Sequence, residues 1–277
     1  MHDWLFELRT GQRVLDLCSG AGSFNSAGLP CTVVALDEDV AAFETAAPLA
    51  PGPHYRAFGK SDQIPFSSAS FDLVILNHGL EHIFAVEDTL REVGRVLKPD
   101  GRLVVSIPNG YSLCDSIYRF VFKGGGHVNR FTRPRAVDLV ERYAEVQLVS
   151  WHKLYSSFAY LYRLAQALDT RSMSLLRRQR ALDKLPRSTL YAGQRALYRT
   201  TRLADRLFHT NLAVYGWAFY FAHSNQTPTE QPAYLNVCIN CGSGHPASQL
   251  ENGSRSSWRC SACNTVNPFV KPFRNAI

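Results

Sequence analysis

The chain reads as an α/β protein built on a doubly wound, mostly parallel sheet, and three observations carry that reading. Short apolar runs alternate with amphipathic stretches through the first half. Those runs lack strict polar/apolar alternation, as strands covered on both faces do. A glycine-rich turn follows the first of them. With 277 residues, 45% of them hydrophobic, and 16 Phe, 12 Tyr and 4 Trp, the chain can bury enough apolar surface to offset its entropy, which excludes global disorder.

Four runs are expected as strands: Arg13 to Leu17, Thr32 to Leu36, Phe71 to Leu76 and Arg102 to Ile107. Between the last two, Val86 to Leu97 places Leu90, Val93 and Leu97 on one helical face, and Lys98-Pro-Asp-Gly101 stops the helix. That is a βαβ crossover. Tyr143 to Trp151 and Val214 to Ala222 are aromatic and β-branched enough for a late strand pair. Residues 152–212 lie between them as a helical insertion, with Phe158, Leu161, Tyr162, Ala165 and Leu168 at helical spacing and Leu203 and Leu207 repeating it. The insertion holds twelve Lys/Arg against three Asp, an excess of nine positive charges that exceeds the +7 of the whole chain. Such a stretch is either a solvated face or an attractor of nucleic acid, anionic membrane or phosphorylated substrate. A polar segment with two prolines follows. The expected organisation is a main domain over residues 1–222, a linker over 223–235 and a small module over 236–277.

The stretch VLDLCSGAGSF, residues 14–24, runs from a buried strand into a glycine turn and a helix start. Gly20 and Gly22 permit a close approach of ligand to backbone amides. Asp37, at the end of the second strand, suits a ribose diol. A dinucleotide site would want a third glycine where Asn25 stands, which disfavours NAD.

On these residues the chain resembles the class I S-adenosylmethionine-dependent methyltransferases, near the ubiquinone and menaquinone biosynthesis group. Asp16-Leu-Cys-Ser-Gly-Ala-Gly22 stands for that family's DxGxGxG loop, with Cys18 replacing its first glycine. Lys60-Ser-Asp-Gln-Ile-Pro-Phe66 with Phe71, Asp72 and Val74, and LREVGRVLKPDGRLVVSIPN at 90–109, are similar to later family motifs. The resemblance implies a seven-stranded Rossmann-like methyltransferase sheet. It also implies S-adenosylmethionine contacts from Asp16, Cys18, Ser19, Gly20, Gly22 and Asp37, with Glu38, Ser61 and Asp62 toward the adenine and Asn77 toward the methionine part. Lys60 stands where the family often has an aspartate.

Methyl transfer is an in-line displacement that needs orientation more than a reactive side chain. For a hydroxyl acceptor, candidate bases are His78, Glu81, His82 and His127. The first three have i, i+3, i+4 spacing, which on one helix face could also bind a divalent ion. The alternative, drawn from the resemblance, is that His82 of the LEHI string simply packs near the cofactor. His127 follows three glycines, as in a flap or in a plain connecting turn, and that segment with the insertion is where substrate choice is expected to reside.

Cys238-Ile-Asn-Cys241 and Cys260-Ser-Ala-Cys263 are two CxxC knuckles separated by 18 residues, the pattern of a four-thiolate zinc ribbon. About 35 residues carry little core of their own, so zinc would be structural there. The odd count of 7 Cys and the paired knuckles read as a reducing, cytoplasmic setting, and neither a secretory leader nor a spanning segment of 18 apolar residues is expected. Three functional readings follow: methyl transfer to a small-molecule or glycan-type acceptor; RNA methylation using the basic insertion and ribbon, with RNA or protein as partner; or a non-catalytic zinc-ribbon adaptor with a degenerate cofactor fold.

Overall fold

The computed structural model describes residues 8–20, 22–24, 26, 29–45, 54–113, 115–116, 127–155, 187–223, 234–237, 244–246, 257–261, 264 and 266–268. Its strands are β1 (Arg13–Leu17), β2 (Thr32–Asp37), β3 (His54–Phe58), β4 (Phe71–Asn77), β5 (Leu97–Pro108), β6 (Gln147–Tyr155) and β7 (Gly216–Ala222), with four short ones, β8 to β11, beyond residue 233. The first seven lie side by side in the order β3-β2-β1-β4-β5-β7-β6. The sheet is mixed: β1 to β5 pair in parallel, and β7 runs antiparallel to β5 over the register Arg102↔Ala222 to Pro108↔Gly216.

Continuous apolar sequence explains the centre. Val14, Leu15, Leu17, Leu73 to Leu76, Leu103 to Val105 and Phe219 to Phe221 are all buried, as strands covered on both faces must be. The helices between strands are α1 (Val40–Thr45), α2 (Val86–Val96) and α3 (Arg133–Ala144). On α2, Leu90, Val93 and Val96 are buried on the face the spacing indicated. On α3, Thr132 caps the N-terminus by accepting from the Arg135 amide at 3.4 Å, and Glu145 closes the other end in the left-handed conformation. Small residues let α2 and α3 meet, because a Cβ at Gly94 would fall 2.7 Å from the Ala144 carbonyl oxygen. Similarly, a Cβ at Gly216 would stand 2.2 Å from the Ile107 oxygen, so β7 approaches β5 only with glycine there.

Several element boundaries differ from expectation. Leu97 opens β5 instead of closing α2, and the ladder jumps from Phe71↔Leu97 to Leu73↔Arg102, so Lys98 to Gly101 bulge from it. Lys98 Nζ meets both Asp72 oxygens at 2.8 and 2.9 Å at this bulge. Tyr143 belongs to α3, where Arg91 lies 4.8 Å over its ring, and β6 begins at Gln147. Strand β3 was not expected: of its five residues, His54 alone is buried, which is the pattern of a sheet edge.

The chain divides into two units, Met1–Gly110 with Gly126–Lys153 and Gly216–Ala233, and Tyr111–Gly125 with Leu154–Tyr215 and Tyr234–Ile277. The second holds α4 (Arg187–Phe208), on which Leu203 and Leu207 are helical as expected and exposed. Phe158 to Leu168 lie outside the described residues. The second unit also holds two antiparallel hairpins, β8 (Tyr234–Val237) with β9 (Gly244–Pro246), and β10 (Ser257–Arg259) with β11 (Val266–Pro268). Among the described residues, no helix is long and apolar enough to cross a membrane.

Candidate active site

The order β3-β2-β1-β4-β5 makes the chain progress outward in opposite directions from β1 and β4, a switch point that leaves a crevice beyond the carboxyl ends of those two strands. Asp16 pairs with Ile75 across it, so the turn after β1 and the turn after β4 are neighbours. A Cβ at Gly79 would lie 3.1 Å from Cys18 Cβ, which puts the second turn directly against the first.

The glycine turn takes its shape from three positive φ angles: Cys18 at 55°, Gly20 at 52° and Gly22 at 121°. Cys18 therefore adopts a left-handed conformation that favours glycine. Burial, with the Asp37 charge adding to it, pushes its thiol up to about 12, so it stays a neutral side chain beside Ser61. Nothing stands within 4 Å of where a Cβ would be at Gly20 or Gly22. The Asp37 carboxylate ties the turn to β2, accepting from the Gly20 amide at 2.7 Å through Oδ2 and from the Asp39 amide at 2.9 Å through Oδ1. Two acceptor sites per oxygen leave capacity for hydroxyl donors.

Asp16 performs a different task. It is buried, and its carboxylate accepts from the Ser23 hydroxyl and from the Ser23 amide. Burial raises its pKa to about 7, against the lowering effect of those two bonds and with a small addition from Asp37. Asn77 continues the network, donating to the Ser23 carbonyl at 2.6 Å and accepting from the Ser106 hydroxyl. Asp16 and Asn77 are thus joined through Ser23, a residue that sequence reasoning did not single out, and both hold the return of the loop. Ser19 is buried, and its hydroxyl has no hydrogen-bond partner among the described residues.

The remaining cofactor candidates line the neighbouring turn. Ser61 shares a hydrogen bond with Thr89 at 3.0 Å and, like Asp62, is half-buried, while Glu38 is exposed just past β2. This turn is stapled to α2: Arg95 donates to the carbonyls of Phe66 and Ile64 at 2.8 and 2.9 Å and to both Glu92 oxygens at 2.7 Å. Glu92 in turn accepts from the Ile64 amide at 2.8 Å.

After β4 the chain does not form the single helix that would align His78, Glu81 and His82. His78 is left-handed (φ 57°), and a short 3₁₀ turn spans Leu80–His82. His78 Nδ1 shares a hydrogen bond of 3.2 Å with Glu81 Oε1. His127 takes the place expected for His78: its ring meets that of His82 edge to face, with centroids 4.8 Å apart. Two backbone bonds, from Val128 and Asn129 to the Glu81 carbonyl at 2.8 and 3.0 Å, hold this segment on the 3₁₀ turn. The Asn129 amide adds bonds to the Leu80 and Ile83 carbonyls at 3.1 and 2.5 Å.

Residues 15–105 match the family model described as a methyltransferase domain. That match covers about a third of the chain, which is similar there to methyltransferases. The chain is 37% identical over 100 residues to a demethylmenaquinone methyltransferase of Renibacterium salmoninarum, covering 35% of this chain and 41% of that one. It is 33% identical over 115 residues to a ubiquinone/menaquinone biosynthesis C-methyltransferase of Cereibacter sphaeroides, covering 38% and 45% respectively. It thus spans less than half the length of these relatives. In fold it is similar to the YcgJ protein of Bacillus subtilis (TM-score 0.51, 17% identity, 79% of this chain and 95% of that one). It is also similar in fold to a sarcosine dimethylglycine methyltransferase candidate of Galdieria sulphuraria (TM-score 0.52, 16% identity, 80% and 82%).

The residues of the crevice fit S-adenosylmethionine: two glycines with open space above them, a buried Ser19 hydroxyl without a partner among the described residues, and a carboxylate with spare acceptor capacity at Asp37. Of the four thiolate candidates, Cys260 is described. It is buried at the end of β10, and its carbonyl accepts from the amide of left-handed Asn264 at 2.9 Å. Cys238, Cys241 and Cys263 lie outside the described residues.

Proposed function

We propose that the protein transfers a methyl group from S-adenosylmethionine to a small-molecule or glycan-type acceptor, with the 236–277 module as a zinc-bound appendix. The observation that carries this reading is the open glycine turn at the β1/β4 switch point, closed on one side by the Asp37 carboxylate. Bound there, the cofactor supplies an electrophilic methyl on a positively charged sulfur. The chain's part is to hold and orient. The open backbone at Gly20 and Gly22, the Ser19 hydroxyl and the Asp37 carboxylate would border the nucleoside beside Cys18 and Asp16; Glu38, Ser61 and Asp62 would border the base; and Asn77 would fix the floor through Ser23. Orientation of this kind is worth up to about 7 to 11 kcal/mol. A hydroxyl acceptor would find its base among His78 and His82, on the turn next to Cys18, and His127, whose ring meets that of His82.

In the C-terminal module, Cys238 and Cys241 lie in sequence between β8 and β9, and Cys260 and Cys263 between β10 and β11, an order that supports one structural zinc on the four thiolates. RNA as acceptor is the second reading. It draws on α4, where five Arg stand against one Asp. The discriminating experiment feeds methyl-labelled cofactor and purified protein to fractionated cell lysate. Label in the small-molecule or saccharide fraction is the expected outcome. Label in RNA, with RNA binding that weakens steeply with salt, would replace it by the second reading, and no transfer into any fraction would favour the adaptor.

A further inference from the structure

We propose that Glu81, His82 and His127 form a binding site for a divalent first-row transition-metal ion. One ligand atom from each lies within 4.8 Å of the other two. The donor set is two imidazoles and one carboxylate, which suits Fe(II), Co(II), Ni(II) or Zn(II) and is too nitrogen-rich to favour Mg²⁺ or Ca²⁺. At metal–ligand distances of about 2.1 Å, such atoms sit about 3.0 to 3.4 Å apart. Closing from 4.8 Å takes side-chain adjustment alone, and His82 is exposed and His127 half-exposed, so both rings can move.

A second observation points to a ligand independently of that spacing. Glu81 is 1% exposed, and its Oε2 has no hydrogen-bond partner among the described residues, while Oε1 is held by His78. A carboxylate oxygen buried without a partner is costly. A cation between it and two imidazoles would satisfy it, with His78 as the outer partner that orients the carboxylate.

The surrounding backbone is built to keep the triad together. His127 comes from a segment 45 residues away in the chain, and three donors, Val128 N, Asn129 N and Asn129 Nδ2, pin that segment to the carbonyls of the 3₁₀ turn. Three protein ligands leave further coordination positions for oxygen ligands, from water or from an acceptor. The acceptor role rests on the methyl-transfer reading. Ion binding does not.

The test uses full-length, untagged protein stripped with chelator and titrated with Co(II). The expected result is a class of bound cobalt showing ligand-field absorption without thiolate charge transfer, separate from any thiolate-bound cobalt. His82→Ala and His127→Ala should each weaken that class about tenfold or more and leave thiolate bands unchanged, and His78→Ala should weaken it by a factor of about 10. Circular dichroism confirms that each variant is folded, so a folding defect in any buried-site variant such as Glu81→Gln is recognised. S-adenosylmethionine binding, measured on the same samples by calorimetry, tests the methyl-transfer reading separately. Cobalt bound through thiolates alone, or a nitrogen/oxygen class unmoved by both exposed-histidine variants, would overturn the proposal.

Discussion

Replacing Asp16 by asparagine should remove a pH dependence built into the glycine turn. The Asp16 carboxyl is buried against Ser23, and its pKa stands at about 7 against an ordinary 3.8, chiefly because burial penalises its charge. The folded chain therefore keeps a proton that the unfolded chain has released. Between pH 3.8 and about 7 the native state binds more protons, so stability falls as pH rises through that window and levels off above it. Each unit is worth about 1.4 kcal/mol, and the span from pH 5 to 8 should lower native stability by about 3 kcal/mol through this group alone. The carboxamide of the Asp16→Asn variant would retain the geometry, its oxygen accepting from the Ser23 amide and its NH₂ donating to the Ser23 hydroxyl, and it carries no charge to desolvate. Urea unfolding of both proteins at pH 5, 6, 7 and 8 gives the double difference directly. Asp16→Asn should be progressively favoured by about 3 kcal/mol across the series. A difference independent of pH would refute the assignment of a buried, proton-holding carboxyl.

Arg95→Ala should lower stability by about 2 kcal/mol at pH 7, because Glu92 and the Ile64 and Phe66 carbonyls lose a charged donor at a part-exposed site. Its hydrogen bonds with Arg95 hold the Glu92 carboxyl below the usual 4.5, so this contribution is present above pH 4.5 and fades as pH falls through the lowered value; urea midpoints at pH 7 and pH 3.5 should show the deficit shrinking in acid. Gly216→Ala should cost more than about 3 kcal/mol or abolish soluble expression, since its methyl would overlap the Ile107 oxygen, whereas Gly193→Ala on α4 meets nothing and should stabilise by up to about 1 kcal/mol in thermal melts. Cys18→Gly should relieve a left-handed residue and raise stability by roughly 0.5 to 1 kcal/mol, and in the parent protein the neutral Cys18 thiol should resist alkylation at pH 8.

Much of the central sheet is legible in sequence because burial on both faces forces continuous apolar runs: β1, β2, β4 and the distal part of β5 stand where such runs do. The edge strand β3 is invisible for the converse reason, as HYRAF buries one residue and leaves Tyr55 and Phe58 exposed. Tyr143 reads as strand by propensity and is helical because α3 places it under Arg91. At the site, the glycine turn and Asp37 are local features of sequence. The use of Asp16 and Asn77 to hold Ser23 is not, since it depends on side chains from three strands meeting. His127 joins Glu81 and His82 through Asn129 bonds that cross 46 and 49 positions, a pairing that helical spacing around His78 cannot reveal.

Calorimetric titration of S-adenosylmethionine into the full-length protein and into its Asp37→Ala variant probes the cofactor crevice itself. Saturable one-site binding to the parent, weakened about tenfold or more once the carboxylate that braces Gly20 is gone, is the result expected. Heat indistinguishable from dilution in the parent, or equal affinity in both proteins, would contradict a cofactor held between the glycine turn and β2.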